Sequence, residues 1–198
     1  MIEQLLALLE SVDRSKARDL EVWKPAIAEY CYHHYGDREW RLDPKCIVLH
    51  YTAGKSFPQN LVDTQDFAGE KPGLASHYVV GGQHVWEILP PTVRSRATFG
   101  VNHRAISIEM VGADAQDLME NRQQTLDRAA SLVVDLRNKY SIPASETYSH
   151  QQVATMDRSL VPWVMDLLKP GPYDKIDPGE GPMRYILQRC NQSATDDP

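Results

Sequence analysis

The run Cys46-Ile47-Val48-Leu49-His50-Tyr51 is the segment that most constrains the fold of this chain. It is short, apolar and rich in β-branched residues, and turn-forming residues flank it, Asp43-Pro44 before it and Ala53-Gly54 after it. Such a run is typical of a strand that is buried on both faces of a sheet. A second apolar run, from residue 104 to residue 111, ends at Gly112 and predicts another strand.

Helix-like and strand-like segments are mixed along the rest of the chain. Residues 76–80 and 84–89, separated by Gly81-Gly82-Gln83, are typical of a hairpin. The longest helical pattern covers residues 115–139, where apolar residues recur at helical spacing. This mixture indicates an α/β or α+β chain built on a mixed β-sheet.

The length of 198 residues is most simply that of one domain, 1–198, with a core large enough to need no disulfide. Two helical patterns, at 2–13 and within 18–33, precede the first strand. We therefore expect residues 1–44 to form an N-terminal helical extension that packs on the core.

Charge and composition exclude several classes of function. The net charge of −6 argues against non-specific binding of nucleic acid and against attachment to an anionic membrane through a basic face. No run approaches the roughly 20 apolar residues of a membrane span.

The three cysteines, Cys31, Cys46 and Cys190, form no C-x-x-C pair, so we expect buried thiols. We also expect a monomer.

The first ten residues are apolar but carry acids where a signal peptide needs lysine or arginine. This pattern predicts no signal peptide. It is compatible with a cytoplasmic protein, with export by a route other than the Sec pathway, and with a chain from which a signal has been removed.

Two histidines and one aspartate are candidate metal ligands. His50 ends the first strand and His150 ends a second short extended segment, while Asp177 lies in the turn Asp177-Pro178-Gly179. A catalytic zinc takes three such ligands and leaves its fourth position to water. Each residue also has a structural alternative, a hydrogen-bonded core histidine or a capping aspartate. Lys175 would place a positive charge beside the water, unless it is an ordinary surface lysine.

Glu109 stands in the second apolar run, Ala105-Ile106-Ser107-Ile108-Glu109-Met110-Val111. Alternation along a strand places Ile106, Ile108 and Met110 on one face, with Glu109 on the other. Burying an ionised carboxylate there costs folding free energy unless it is paired or lies in a polar cavity. In such a cavity it could serve as a general base or acid. The alternative is a glutamate on an edge strand that faces solvent.

Together these segments resemble the zinc-dependent N-acetylmuramoyl-L-alanine amidases of the type 2 family, which includes the T7-type lysozymes and the peptidoglycan recognition proteins. The resemblance covers about residues 45–188. It follows, in order, Ile47-Val48-Leu49-His50, Ser76-His77-Tyr78-Val79-Val80, Asn102 through Glu109, His150, and Lys175-Ile176-Asp177-Pro178-Gly179.

The resemblance implies a central mixed sheet flanked by helices, with one zinc ion at the floor of a groove. It implies that His50, His150 and Asp177 bind the zinc. It further implies that Glu109 is the catalytic carboxylate and that Lys175 stabilises the oxyanion. Asp157 and Asp174 are the competing oxygen ligands if the last motif is aligned differently.

Three further residues are candidate substrate contacts. Asn102 would position substrate or brace its loop, and His103 lies close to the expected site. Trp163 could offer a flat face to sugar or peptide, or could pack the stretch 151–174 onto the body. This stretch is longer than in relatives, and Ala97-Thr98-Phe99-Gly100 replaces their tryptophan-histidine-alanine-glycine segment. His77 is expected to support the sheet.

The sequence thus predicts an enzyme that cleaves the amide bond between N-acetylmuramic acid and L-alanine in peptidoglycan or a soluble muropeptide. A module of the same fold that binds muropeptides without cutting them is the first alternative, and an unrelated hydrolase is the second. Recycling of wall fragments, a lysin and an exported effector all fit as biological roles.

Overall fold

The computed structural model describes residues 7–195. Five strands form one sheet: β1 (Cys46–Tyr51), β2 (Tyr78–Gly81), β3 (His84–Glu87), β4 (Ala105–Met110) and β5 (Thr147–Ser149). Their order across the sheet is β3-β2-β4-β1-β5. Pairs β1–β4, β1–β5 and β2–β4 are parallel, and the hairpin pair β2–β3 is antiparallel. The sheet is therefore mixed, and β1 is an interior strand with parallel neighbours on both sides.

Helices cover this sheet. They are α1 (Ala7–Glu10), α2 (Leu20–Tyr35), α3 (Asn60–Asp63), α4 (Ala115–Asn121), α5 (Gln123–Tyr140), α6 (His150–Thr155) and α7 (Glu180–Thr195), with a 3-10 turn at Ala144–Glu146. The predicted fold class, a mixed α/β chain with a central sheet flanked by helices, is confirmed. Among the helices of residues 7–195, none has the length and apolar character needed to cross a bilayer.

The two faces of β4 have different surroundings. Ile106, Ile108 and Met110 are fully buried in the cluster that also contains Leu126 of α5 and Ile186 of α7. The predicted alternation along this strand is therefore confirmed. It leaves Ser107 and Glu109 on the face that looks away from these two helices.

The part of the N-terminal extension that the structure describes packs against the sheet. Leu8 and Leu9 belong to the same buried cluster as Ile106, and Trp23 and Ile27 of α2 belong to a second buried cluster. The predicted helix at 2–13 lies partly outside the described residues. The expectation of a single domain over 1–198 stays a prediction.

His77 ties β4 to the chain that follows the hairpin. Its Nδ1 accepts a hydrogen bond from the backbone N–H of Ser107 at 2.9 Å, and its Nε2–H donates to the carbonyl of Val93 at 2.9 Å. Both ring nitrogens are thus satisfied only when the ring is neutral. Because the ring is also fully buried, the pKa of His77 is lowered to about 4. His77 supports the sheet, as expected.

This histidine makes the fold sensitive to acid. In the unfolded chain it has the ordinary histidine pKa of about 6.5, so only the unfolded state binds its proton between about pH 6.5 and 4. We expect the free energy of unfolding to fall as the pH is lowered through this window, with a contribution from His77 on the order of 3 kcal/mol. Denaturant titrations at several pH values would give the free energy of unfolding at each pH. This free energy should depend less steeply on pH in His77→Gln than in the wild type, while His33→Gln, at an exposed position, should keep the wild-type pH dependence. A wild-type pH dependence of the unfolding free energy in His77→Gln would contradict the proposed role of His77 in acid sensitivity.

Candidate metal centre and active site

Parallel strands bring two of the predicted residues side by side. His50 of β1 is the direct register partner of Glu109 of β4, near the carboxyl ends of both strands. The carboxyl ends of parallel strands lie at one edge of a sheet, where ligand sites commonly form. The edge of the sheet at β1 and β4 is therefore where the site is built.

His150 reaches the same edge from β5, which pairs with β1 on its other side. It is the first residue of α6, directly after the helix cap Ser149. Ser149 and Gln152 form a capping box, in which each side chain bonds the other residue's backbone N–H. This reciprocal cap fixes the start of α6 and hence the direction in which His150 leaves the backbone.

Asp177 lies on the loop that precedes α7, in the last quarter of the chain. The backbone N–H of Gln151 in α6 donates to the Asp177 carbonyl at 3.0 Å, which fastens the loop beside His150. Two residues on, Gly179 has a positive φ of 88°, and a Cβ there would lie 2.9 Å from Ala115. Only glycine satisfies both conditions, so the turn after Asp177 is specified by the sequence.

The three candidate ligands converge. Nδ1 of His50 and Nδ1 of His150 each lie 3.1 Å from Oδ2 of Asp177, and the two rings are 4.5 Å apart between centroids. All three ligand atoms lie within 4.8 Å of one another. Zinc bonds of about 2.0–2.1 Å in a tetrahedron separate neighbouring ligand atoms by about 3.3 Å, so this donor set fits zinc in type and spacing.

The protonation states of the cluster also suit a cation. Burial and the nearby His50 together lower the pKa of His150 to about 4, against the opposing effect of its contact with Asp177, so His150 is neutral at pH 7. Burial alone would raise the pKa of Asp177, but hydrogen bonds from His150 and His50 hold it well below its usual range. A neutral imidazole and an ionised carboxylate are the forms in which histidine and aspartate bind metal.

Glu109 is half-buried beside this cluster. Its Oε1 lies 3.4 Å from the hydroxyl of Ser76, and its Oε2 is buried with no hydrogen-bond partner among the described residues. Burial raises the pKa of Glu109 to about 7, against the opposing charge of His50. A carboxylate with a pKa near neutrality can both accept and return a proton at neutral pH.

These groups share one cleft of about 490 Å³. It is lined by His50, Glu109, His150, Lys175 and Asp177, among others. Lys175 is exposed to solvent, and its charge favours the ionised form of Glu109.

The structure distinguishes Asp177 from the two competing aspartates. Asp174 lines the cleft but does not belong to the cluster of candidate ligands. Asp157 is exposed and bonds the hydroxyl and backbone N–H of Ser159. Among the described residues, Asp177 is the aspartate that lies with the two histidines.

The three candidate substrate contacts are not among the residues that line the cleft. Asn102 is buried, and its Oδ1 accepts from the backbone N–H groups of Ala97 and Thr98 at 2.9 and 2.8 Å. This position favours the bracing role for Asn102 over contact with substrate, because its amide is already occupied by the protein. Its Nδ2 donates to the Tyr30 hydroxyl at 3.2 Å, which completes the brace.

His103 and Trp163 are likewise engaged with the protein. His103 packs on Tyr35, with 4.7 Å between ring centroids. Trp163 lies under the guanidinium of Arg104 at 4.3 Å and beside Tyr148. The position of Trp163 therefore favours the alternative in which it packs the stretch 151–174 onto the body.

Sequence reasoning assigned no site role to three residues that the fold brings to the site. Ser76 faces Glu109, Thr98 contacts His50, and Tyr173 contacts His150. Ser76 precedes a strand, and Thr98 and Tyr173 lie in irregular segments. Ser76 and Thr98 belong to segments compared with the amidase family, Ser76-His77-Tyr78-Val79-Val80 and Ala97-Thr98-Phe99-Gly100, but nothing in those segments indicated a role for either side chain. No motif included Tyr173.

Two histidines and an aspartate at a sheet edge, with a carboxylate of raised pKa beside them, define a candidate metal-dependent hydrolase. The sequence profile of the family described as N-acetylmuramoyl-L-alanine amidase matches residues 40–171. The chain belongs to this family, and the predicted enzyme class is confirmed. Lys175 and Asp177 lie beyond the matched range, so their place in the site rests on the geometry.

Solved structures share the fold at low sequence identity. A mutant of PlyL superposes with a TM-score of 0.59 at 15% identity, over 90% of this chain and 97% of that chain. The amidase LysC from Clostridium intestinale URNW gives a TM-score of 0.56 at 19% identity, over 77% and 93% of the two chains. Staphylococcus aureus hydrolase AmiA, in complex with its ligand, gives 0.51 at 17% identity, over 77% and 75%. No curated protein sequence matches the chain significantly.

Proposed function

We propose that this chain uses zinc to hydrolyse the amide bond between N-acetylmuramic acid and L-alanine in peptidoglycan or a muropeptide. The observation that carries the proposal is the convergence of His50, His150 and Asp177 beside Glu109 in one cleft. Membership in the amidase family supports the substrate class.

Nδ1 of His50, Nδ1 of His150 and Oδ2 of Asp177 would hold the zinc. When bound, zinc supplies a water of lowered pKa and an electrophile that polarises the substrate carbonyl. Three protein ligands leave one position for water, which is the arrangement of a catalytic site rather than a structural one.

Glu109 is the proton carrier of the proposed reaction. Its unpartnered Oε2 is free to accept the proton of the attacking water, and the same carboxyl then returns the proton to the departing alanine nitrogen. The raised pKa of Glu109 suits both steps, because neither the acid nor the carboxylate form is strongly favoured near pH 7.

Lys175 is the candidate for stabilising the negative charge that develops on the carbonyl oxygen. Lys175 lines the cleft and is exposed to solvent. An ammonium held near the carbonyl oxygen stabilises the tetrahedral state more than the ground state.

An assay with and without metal tests this proposal. We expect the native enzyme to release free L-alanyl peptides from a muropeptide, to lose this activity after zinc removal by a chelator, and to regain it when zinc is returned. The measurement is product release by chromatography together with zinc content per chain. Full activity at negligible zinc content would contradict the role of zinc, and tight muropeptide binding without cleavage by the zinc-loaded chain would favour the binding-module alternative.

Running the same assay on intact sacculi and on a soluble anhydro-muropeptide identifies the preferred form of the substrate. A role in recycling requires faster turnover of the soluble fragment, and a lysin requires turnover of intact wall.

A further inference from the structure

Each candidate histidine ligand is backed by a hydroxyl on the side away from Asp177. Nε2 of His150 lies 3.1 Å from the hydroxyl of Tyr173, and Nε2 of His50 lies 3.0 Å from the hydroxyl of Thr98. Both hydroxyls therefore contact the ring nitrogen that does not face the aspartate.

The Tyr173 hydroxyl has a second partner, the backbone carbonyl of Phe99, which lies 3.2 Å away and can only accept. When the hydroxyl donates its proton to this carbonyl, it acts as an acceptor towards His150. Without a cation between them, the Nδ1–H of His150 can donate to Oδ2 of Asp177 at 3.1 Å. A bound metal would take the Nδ1 lone pair, so the His150 proton would sit on Nε2 and donate to the Tyr173 hydroxyl, whose own proton goes to Phe99.

Tyr173 is itself anchored to elements of the site. Its backbone N–H donates to the carbonyl of Ala154 in α6 at 2.9 Å, and its ring packs edge-on against Phe99 at 5.8 Å between centroids. The same ring lies edge-on to His150 at 5.8 Å. The hydroxyl is therefore held from three directions rather than presented by a free side chain.

Tyr173 lies near the end of the long stretch between His150 and Lys175. Within it, the Met165 N–H donates to the carbonyl of Gly100, and Asp166 binds Nδ1 of His34 in α2 at 2.8 Å. The Asp166 side chain is fully buried and also accepts from the N–H groups of Leu168 and Lys169. These contacts fasten the stretch to the body before it returns to the cleft at Tyr173.

Thr98 is fixed in an equivalent way on the side of His50. Its backbone N–H is held by the buried amide of Asn102, and its side chain is buried. The brace made by Asn102 thus positions the hydroxyl that contacts Nε2 of His50.

We propose that Tyr173 and Thr98 are positioning residues that hold His150 and His50 with the Nδ1 lone pairs turned towards a bound zinc. This inference rests on the proposed function, because it presupposes that the cluster binds zinc. It assigns a role to residues 156–174, which is to bring the Tyr173 hydroxyl behind His150.

Metal affinity provides the test. Removing an outer hydrogen-bond partner of a metal-bound histidine typically weakens affinity by about 10- to 100-fold, and we expect this loss of zinc affinity in Tyr173→Phe. Zinc dissociation constants would be measured by competition with a chromophoric chelator. Tyr185→Phe is the matched control, since its hydroxyl also donates a hydrogen bond, to Asp127 at 2.6 Å, but on helices α7 and α5.

A second pair of variants covers the possibility that Tyr173→Phe does not fold. Thr98→Val removes the hydroxyl and keeps the shape, so it should weaken zinc binding and alter the absorption spectrum of the cobalt-substituted protein. Thr98→Ser keeps the hydroxyl and should restore both properties, which a purely structural role for Thr98 would not predict.

The outcomes separate this inference from the proposed function. Wild-type zinc affinity and cobalt spectra in Tyr173→Phe and Thr98→Val would overturn the positioning roles while leaving the zinc site in place. Failure of the wild-type chain to bind zinc at all would overturn both.

Discussion

Glu109→Gln is expected to lower kcat for muropeptide cleavage by about 10²- to 10⁴-fold, the usual contribution of a general acid–base group. Glutamine has nearly the same shape but cannot accept the proton of the attacking water. Because Glu109 is not one of the three candidate ligands, zinc content should remain at the wild-type level. Steady-state kinetics and metal analysis on the same preparation would measure both quantities.

Glu87→Gln is the matched control for this substitution. Glu87 is likewise a strand glutamate, on β3, but it binds Arg14 and the Tyr78 hydroxyl on the outer hairpin. Its loss should affect stability and leave kcat within a few-fold of wild type. Wild-type kcat in Glu109→Gln would contradict the proposed mechanism. Among the described residues that line the cleft, the other carboxylates are the candidate ligand Asp177 and the exposed Asp174.

Asp177→Asn should abolish both zinc retention and activity. The substitution removes the negative charge that both histidines face at 3.1 Å, so the loss of zinc affinity should exceed the roughly 10- to 100-fold expected for an outer-shell partner. Added zinc should also cease to raise the melting temperature. In the wild-type chain, ligand at about 1,000 times its Kd stabilises the folded state by about 4 kcal/mol.

Asp174→Asn is the appropriate comparison, because Asp174 lies on the same loop and on the same cleft but outside the cluster. It should bind zinc like the wild type. If Asp174→Asn lost zinc and Asp177→Asn retained it, the alternative alignment of the last motif would be correct.

The sheet and its contribution to the site could be predicted because their signals are local. The apolar run that ends at His50 and the alternation around Glu109 each specify a strand, and parallel pairing then places these two residues side by side. His150 was identifiable because it stands at the end of another short extended segment, although the structure makes it the first residue of the following helix. Strand ends are thus the part of the site that a sequence describes well.

The partnership of Asp177 with the histidines could not be deduced from spacing alone. Asp174 and Asp177 are three residues apart on one loop, and the choice depends on how the turn at Gly179 packs against Ala115. The roles of Thr98 and Tyr173 were beyond prediction for a similar reason. Their hydroxyls reach the histidines through irregular backbone, whose course depends on distant contacts such as that between Asp166 and His34.

The site joins two parts of the molecule that differ in how firmly they are held. His50 and Glu109 lie on the interior strands β1 and β4 of the sheet. Asp177 and Lys175 lie on a loop that is held to α6 by the hydrogen bond from the Gln151 N–H to the Asp177 carbonyl. Such a loop can open locally without unfolding the sheet. A cation held by His50, His150 and Asp177 would link the loop to the sheet, so metal binding would stabilise the loop as well as supply the chemistry.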